Sequence, residues 1–296
     1  MRFGVAEEKV LVDVEGRRLA LSNLSKRLYP SGFLKAEVID YYTRIAPVLL
    51  PHLAGRPLTV KRYPDGSEGK FFFEKNAPSH TPSWVRRVTL PVPGSTMKRE
   101  TIDFVVVEEL ATIVWLANLA ALEMHTPQWT VGPRGAVHDP DLLVIDLDPG
   151  PPATITKCCE VALLMRPLLP KGAMAKTSGN KGMQIVAPWS SGDPSAAAKE
   201  LAEQLEQEHP ELVVSKMAKA VRPNKVFVDW SQNNPAKTTV SVYSLRARDM
   251  PAVSTPLTWA EVADGAGGKP LHFTAPDVLA RVEADGDLFA GLVPKT

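Results

Sequence analysis

Two aspartates one residue apart, Asp146 and Asp148, close the run LLVIDLDPG. On an extended strand residues two apart share a face, so both carboxylates point one way while Leu147 packs behind them. Carboxylates held this close repel unless a cation or a proton lies between them. Oxygen ligands of this kind suit Mg²⁺ or Mn²⁺. Two such ions a few ångströms apart can activate an attacking oxygen and stabilise a leaving one in phosphoryl transfer. The same D-x-D fits equally a solvated turn whose acids cap the next helix. Asp229 ends a second apolar run, KVFVD, and is either a third carboxylate from a neighbouring strand or an ordinary strand-end acid.

Other segments could handle anions and bases. KTSGNKG (176–182) is a Gly-rich turn between two apparent strands. Its backbone N–H groups, with Lys176, Ser178 and Lys181, could cradle a phosphate, or it is a plain hairpin; it lacks the Walker spacing. LTVKRYPDGSEGKFFFEKNAP interleaves Lys61, Arg62, Lys70 and Lys75 with Phe71, Phe72 and Phe73. Bases stack on aromatic rings and phosphates pair with lysine and arginine, so the mixture suits nucleotide binding. Strand alternation predicts that at most two of the three rings share a face and that at least one belongs to the core. NLSKRLYPSGFLK sets Lys26, Arg27 and Lys35 around a turn that either grips a phosphate or is a solvated loop. His125, in LEMHTPQW, falls near the end of an apolar helix, where a structural histidine is the plainer reading. Arg246 and Arg248 follow another strand in SVYSLRAR and could clamp phosphate oxygens.

The elements that would position these residues follow from apolar periodicity. KVLVDVEGRRLAL (9–21) predicts a hairpin about Glu15-Gly16, and Lys35 to Leu50 a helix that Pro51 stops or follows. Strands are expected over 57–64 and 71–78 with a turn over 64–70. TIDFVVVEEL (101–110) holds a strand and the start of a helix running on through LATIVWLANLAALEMHT. Beyond it come a strand over 141–150, a helix over 154–169 and a strand, turn and strand over 173–189. A helix over 194–208, a strand over 224–230 and one or two helices after 257 complete the chain. No βα unit repeats regularly, which favours α+β over a doubly wound sheet. The Gly and Pro cluster at 132–140 suggests a division into an N-terminal lobe (1–135) and a catalytic lobe (136–296) of one domain.

With 296 residues, 44% of them hydrophobic, the chain can bury a substantial core. Its net charge of +1 argues against non-specific coating of DNA and leaves a local patch as the way to bind it. Cys158 and Cys159, the only two cysteines, are adjacent, which suits semi-buried thiols in a reducing cytoplasm rather than a bridge. No stretch approaches the roughly 18 apolar residues of a membrane span, and MRFGVAEEKVLVDV lacks an apolar signal core. The expectation is a cytoplasmic protein.

Taken in order, NLSKRLYP, YYTRIAPVLLPHLAGRPLTVKRYPDG, FFFEKNAP, LEMHTPQW, LLVIDLDPG, KTSGNKGMQIVAP, FVDWSQN and YSLRARDMPAVSTPLTW resemble one family. It is the polymerase domain of bacterial ATP-dependent DNA ligase D, a branch of the archaeo-eukaryotic primase superfamily. The resemblance covers about residues 20–260. It implies an α+β, primase-like catalytic core with an RRM-like antiparallel sheet and an N-terminal α/β lobe. It implies that Asp146, Asp148 and Asp229 bind two divalent ions, typically Mn²⁺ and otherwise Mg²⁺. Phe73, with Phe72, would stack on the incoming base; Lys61, Ser178 and Arg246 would contact the nucleoside triphosphate; His125 would sit by the primer end.

Asn23, Lys26 and Lys35 match positions that recognise a 5′-phosphate at a gap or break in duplex DNA. The implied activity is gap and end filling in DNA repair such as non-homologous end joining, often with ribonucleotides. The implied setting is the nucleoid, with a separately encoded ligase and Ku as partners of a stand-alone polymerase. One position departs from the pattern: the family's Gly-Leu-His reads Gly182-Met183-Gln184, and glutamine can donate a hydrogen bond but carries no charge. A catalytically weakened DNA-end-binding module is therefore the alternative. A phosphatase using the D-x-D would leave the Phe-rich segment and Asp229 without a role.

Overall fold

The computed structural model describes residues 9–92 and 100–294. The first eight residues, part of the stretch read above for a signal core, lie outside them. Within the described residues no helix is long and apolar enough to cross a membrane.

β1 (Lys9–Val14) and β2 (Arg17–Ser22) form the expected hairpin. Its tip residues Glu15 and Gly16 both take positive φ, as a tight two-residue turn requires. α1 (Lys35–Leu53) buries the stripe Val38, Tyr42, Ile45, Leu49 and Leu53. Pro51 does not stop it. The missing Pro51 N–H would have faced the carbonyl of Pro47, also in the helix, and burial of Leu49, His52 and Leu53 outweighs that single lost bond.

β3 (Pro57–Arg62), β4 (Phe72–Glu74), β5 (Arg87–Pro91) and β6 (Thr101–Val106) follow, then α2 (Leu110–Asn118) and β7 (Ala121–Thr126). The long helix expected through residue 126 is therefore wrong in its second half. Ala120 takes a φ of 56°, which ends the helical path, and Leu122 and Met124 then alternate into the core as strand residues. An unbroken apolar run cannot distinguish buried helix from buried strand by periodicity. His125 thus lies on a strand.

β8 (Leu142–Pro149), α3 (Ile155–Met165), β9 (Met174–Thr177), β10 (Met183–Pro188), α4 (Pro194–Glu208), β11 (Val213–Val214) and β12 (Val226–Asp229) form the next unit. Short strands β13 (Thr239–Val240), β14 (Leu245–Ala247), β15 (Pro251–Val253) and β16 (Pro256–Leu257) precede α5 (Trp259–Ala266) and α6 (Ala275–Asp285).

Two six-stranded sheets result. One runs β13-β7-β3-β6-β5 with β4 also on β3; the other runs β11-β12-β8-β10-β9-β16. The second contains the arrangement β8-α3-β9-β10-α4-β12 with spatial order β12-β8-β10-β9, all antiparallel, which is the RRM topology expected. α3, α4 and α5 cover one face of this sheet, packing Val161, Ala162, Ala198, Ala202 and Val262 on Ile145, Leu147 and Ile185. Cys158 and Cys159 lie in this core, fully rather than half buried, and unbridged.

A second core joins α1, α2 and the first sheet, and draws in Val144 and Val186 from the bare face of the second sheet. The sheets are not two successive halves of the chain. β13 crosses back to pair with β7, and α6 packs on α1, so a cut near residue 135 leaves elements of residues 239–294 on the N-terminal side.

Candidate active site

The register of the second sheet lays polar residues in a single row. Asp229 on β12 pairs with Asp146 on β8, Asp146 with Gln184 on β10, and Gln184 with Lys176 on β9. Directly opposed residues project from the same face. Their sequence neighbours Val228, Ile145, Leu147, Ile185 and Ala175 are buried with the helices, so the row looks away from them. Asp148 lies two residues along β8 on the same face. Beside it, Gly182 approaches so closely that a Cβ would sit 2.1 Å from the Leu147 carbonyl oxygen.

The row opens into a cavity of about 490 Å³, with Asp146, Asp148, Gln184, Ser178, His125 and Arg246 among its walls. Its electrostatics are those of crowded acids. Loss of solvent, then repulsion from Asp148, pushes the Asp146 carboxyl up to about 7, and Asp229 adds to the effect. Partial burial and Asp229 push Asp148 up as well. The one buried cation in the row is Lys176. Its Nζ donates to Gln184 Oε1 (2.6 Å), Ser254 Oγ (2.7 Å) and the Val240 carbonyl (3.0 Å), and burial lowers its pKa to about 7. Gln184 also hydrogen-bonds Asp146, so its amide bridges the lysine and the acid.

The first sheet contributes the opposite polarity. On β7, Glu123 and His125 alternate with the core residues Leu122 and Met124; on β3, Lys61 pairs with both Glu123 and Phe73 of β4. The Glu123 side chain is 3% exposed. Its Oε1 accepts from Tyr63 Oη and the Ala247 amide, each at 3.2 Å, and its Oε2 meets His125 Nε2 at 3.0 Å. Lys61 Nζ and Arg246 Nη1 stand 3.9 and 3.7 Å from its oxygens. Burial alone would raise the Glu123 pKa, but the His125 hydrogen bond and the charges of Arg246 and Lys61 overcome it, leaving the carboxyl at about 2. Burial lowers the pKa of His125 and of Lys61.

Comparison with known proteins places this fold in a family. Residues 34–289 match the family described as LigD, primase-polymerase domain. The multifunctional non-homologous end joining protein LigD of Mycolicibacterium smegmatis is 43% identical over 285 residues, which is 93% of this chain and 36% of that protein. The bifunctional LigD of Bacillus subtilis is 31% identical over 281 residues, 91% of this chain and 43% of its own length. The solved polymerase domain from Mycobacterium tuberculosis ligase D, in complex with DNA, superposes with a TM-score of 0.86 at 39% identity, covering 93% of this chain and 98% of that one. This chain belongs to the LigD primase-polymerase domain family. It spans little more than a third of the mycobacterial relatives it matches.

On this LigD-type framework most of the sequence-predicted residues converge. Asp146, Asp148, His125, Ser178, Gln184 and Arg246 line one cavity, and Lys61 and Phe73 adjoin it through Glu123 and His125; the Phe73 and His125 rings lie 6.1 Å apart. Arg246 Nε is buried with no hydrogen-bond partner, a spare donor beside the cavity.

Asp229 sits beside Asp146 but is engaged locally. Its Oδ1 accepts from the Ser231 amide at 3.0 Å and the Ser231 hydroxyl at 2.5 Å, and its Oδ2 accepts from Gln232 Nε2 at 2.8 Å. Among the described residues no three acid, imidazole or thiol groups close into a metal cage. The donor set still fits hard divalent cations: all three acids offer oxygen only, they share a face, and their mutual repulsion is what a cation relieves.

The three phenylalanines depart from expectation, since none is core: Phe71, Phe72 and Phe73 are 50%, 44% and 58% exposed. β4 is a three-residue strand that pairs only with β3 among the described residues, and its side chains are exposed or half-buried. Phe71 and Phe73 flank the Lys61 ammonium, whereas Phe72 lies over the Arg62 guanidinium. Asn23, Lys26 and Lys35 form a separate cluster at the start of α1. There the Lys26 amide donates to the Asn23 carbonyl, the Lys35 amide to the Lys26 carbonyl, and Lys35 Nζ to the Ser22 carbonyl at 2.6 Å. Glu123 was missed from sequence. Its signal was the Glu-x-His spacing in LEMH, which reads as a shared face only once that run is taken as a strand.

Proposed function

We propose that this chain is a divalent-metal-dependent nucleotidyltransferase that extends 3′-hydroxyl ends at DNA breaks and short gaps, using nucleoside triphosphates and favouring ribonucleotides. The observation that carries the reading is the in-register row Asp229–Asp146–Gln184, with Asp148 on the same face, opening on a cavity whose far wall holds His125 and Arg246. Two bound Mn²⁺ or Mg²⁺ ions would supply charge neutralisation at the attacking and leaving oxygens. The primer 3′-oxygen forms a bond to the α-phosphorus, the bond to the β-phosphate oxygen breaks, and pyrophosphate leaves as the hydroxyl proton passes to solvent.

Asp146, Asp148 and Asp229 hold the cations in this scheme. Lys61, Ser178, Gln184 and Arg246 bind the triphosphate and sugar, Phe73 stacks on the base, and His125 positions the primer end. Gln184 keeps the bridge from Lys176 to Asp146 that an imidazole could make with one ring nitrogen accepting and the other donating. Asn23, Lys26 and Lys35 receive the 5′-phosphate at the far side of the gap. The solved ligase D polymerase domain in complex with DNA supports this choice of partner, and the relatives named for non-homologous end joining support repair as the setting. A DNA ligase and Ku would then be working partners.

Extension of a gapped duplex with Mn²⁺ and ATP, scored for pyrophosphate release, tests the activity. The expected result is addition with one pyrophosphate per nucleotide; free phosphate without extension contradicts it. Lys26→Ala with Lys35→Ala is expected to remove the preference for a 5′-phosphorylated over an unphosphorylated gap. A preference that persists in a binding titration overturns the phosphate assignment.

A further inference from the structure

We propose that Glu123 is a positioning residue that sets the triphosphate-binding geometry of the site by holding Lys61, His125 and Arg246 on one buried carboxylate. The inference rests on the nucleotidyltransferase reading and adds a residue that does not itself line the cavity.

The geometry assigns each oxygen of Glu123 a distinct set of neighbours. Oε1 takes the Tyr63 hydroxyl, at the end of β3, and the Ala247 backbone amide, on β14 next to Arg246. Oε2 takes His125 Nε2 on its own strand and faces Arg246 Nη1. One carboxylate therefore joins three segments far apart in sequence: β3, β7 and β14. The bond to His125 makes Nε2 a donor and so leaves Nδ1 as the free acceptor of the neutral ring. The contact to the Ala247 amide fixes the backbone that carries Arg246, whose Nε remains a spare donor. Lys61 is kept within reach by the carboxylate on one side and by the Phe71 ring, 3.9 Å from Nζ, on the other. A buried acid among two cations and a histidine has a clear structural effect as well, since removing it strands their charges. What makes it more than a core ion pair is that all three partners belong to the residues assigned to nucleotide or primer.

Two readings give opposite signs. If Glu123 only offsets positive charge, neutralising it should strengthen binding of a polyanion. If it positions, neutralising it should weaken that binding. Glu123→Gln keeps the size and an acceptor for Tyr63 and Ala247 but cannot hold two cations.

The test measures equilibrium binding of fluorescent ATP to the full chain, alongside KM and kcat in gap extension, the thermal midpoint, and binding of 5′-phosphorylated gapped duplex. Glu123→Gln is expected to raise the ATP dissociation constant and KM by about tenfold, a charge-assisted hydrogen bond's worth, with duplex binding unchanged. In a Lys61→Met background the same change is expected to cost less than about threefold, because coupled residues do not add. An ATP affinity that is unchanged or tighter in Glu123→Gln, or full additivity with Lys61→Met, overturns the proposal.

Should Glu123→Gln fail to fold, Tyr63→Phe decides. Loss of one donor to Oε1 is expected to raise KM about threefold with the thermal midpoint unmoved, and an unchanged KM overturns the proposal. The binding arm needs no chemistry. A wild-type chain that binds ATP but never extends a primer would refute the nucleotidyltransferase reading while leaving the Glu123 question answerable.

Discussion

The two sheets face the cavity with opposite electrostatic defects. On the second, three acids share one face and the buried cation of that row, Lys176, reaches them through an amide; Asp146 is pushed up to about 7 and Asp148 follows it upward. On the first, one acid stands among Lys61, Arg246 and His125 and is pushed down to about 2. The first cluster is complete within the protein, and its cations can be shared with a polyanion. The second holds crowded acids whose repulsion no neighbouring cation of the row relieves directly. In the proposed reading, divalent cations would offset the acid row and a nucleoside triphosphate would share the cations of the first cluster.

The largest effect expected from breaking this contrast is catalytic. Asp148→Ala should lower nucleotide addition by about three orders of magnitude or more while duplex binding stays within about twofold, because the acids act on charge developed in the transition state. Parallel loss of both in extension and binding assays would remove the distinction between the two sheets.

Stability against pH gives the next test, and its signs differ between the clusters. Asp146 ionises near 7 in the folded chain and near 3.9 unfolded, so its unfavourable contribution grows as pH rises from about 4 to 7 and is then constant. Glu123 does the reverse. Its stabilisation is present above the unfolded value near 4.3 and is lost as pH falls toward 2. Without divalent ions, Asp146→Asn should therefore stabilise the protein at pH 8 by about 1–3 kcal/mol and have little effect at pH 4 in calorimetry. Mn²⁺ should raise the wild-type melting temperature more at pH 8 than at pH 5. A Glu123-like profile for Asp146→Asn would contradict the opposite charge balance of the two clusters.

A smaller effect is geometric. Gly182→Ala forces a Cβ against the Leu147 carbonyl and should cost about 1–3 kcal/mol in denaturant unfolding, shifting β10 relative to the acids on β8. The smallest concerns the rim. Phe73→Ala should raise KM for the incoming nucleotide by several-fold, as loss of one base stack does, and Phe72→Ala by less than about twofold, since Phe72 packs on Arg62. Equal effects would mean that the strand face does not separate the rings.

The sequence made the acid side of the cavity more legible than the basic side. Asp146 and Asp148 could be read as sharing a face because residues two apart on a strand do so, although the same D-x-D fitted a helix-capping turn equally well. Asp229 was visible as a strand end, but its alignment with Asp146 depends on pairing between strands nearly eighty residues apart, which no local pattern records. Glu123 was hidden, and His125 was placed only through the resemblance, because LATIVWLANLAALEM is apolar but for Thr112, Asn118 and Glu123, so the change from helix to strand at Ala120 left no trace in periodicity. The exposure of all three phenylalanines was equally invisible: alternation specifies two faces, and only the tertiary fold decides how far each is buried. Strands of two or three residues such as β13, β14 and β16 carry no period at all, and with them the return of the chain to the first sheet was lost.

Mn²⁺ titration followed by electron paramagnetic resonance tests, without turnover, whether the acid row holds divalent cations. Saturable binding is expected for the wild-type chain, tightened by ATP, with loss of at least one site in Asp148→Ala and none in Glu123→Gln. Wild-type and Asp148→Ala titrations that coincide would contradict cation binding by this row.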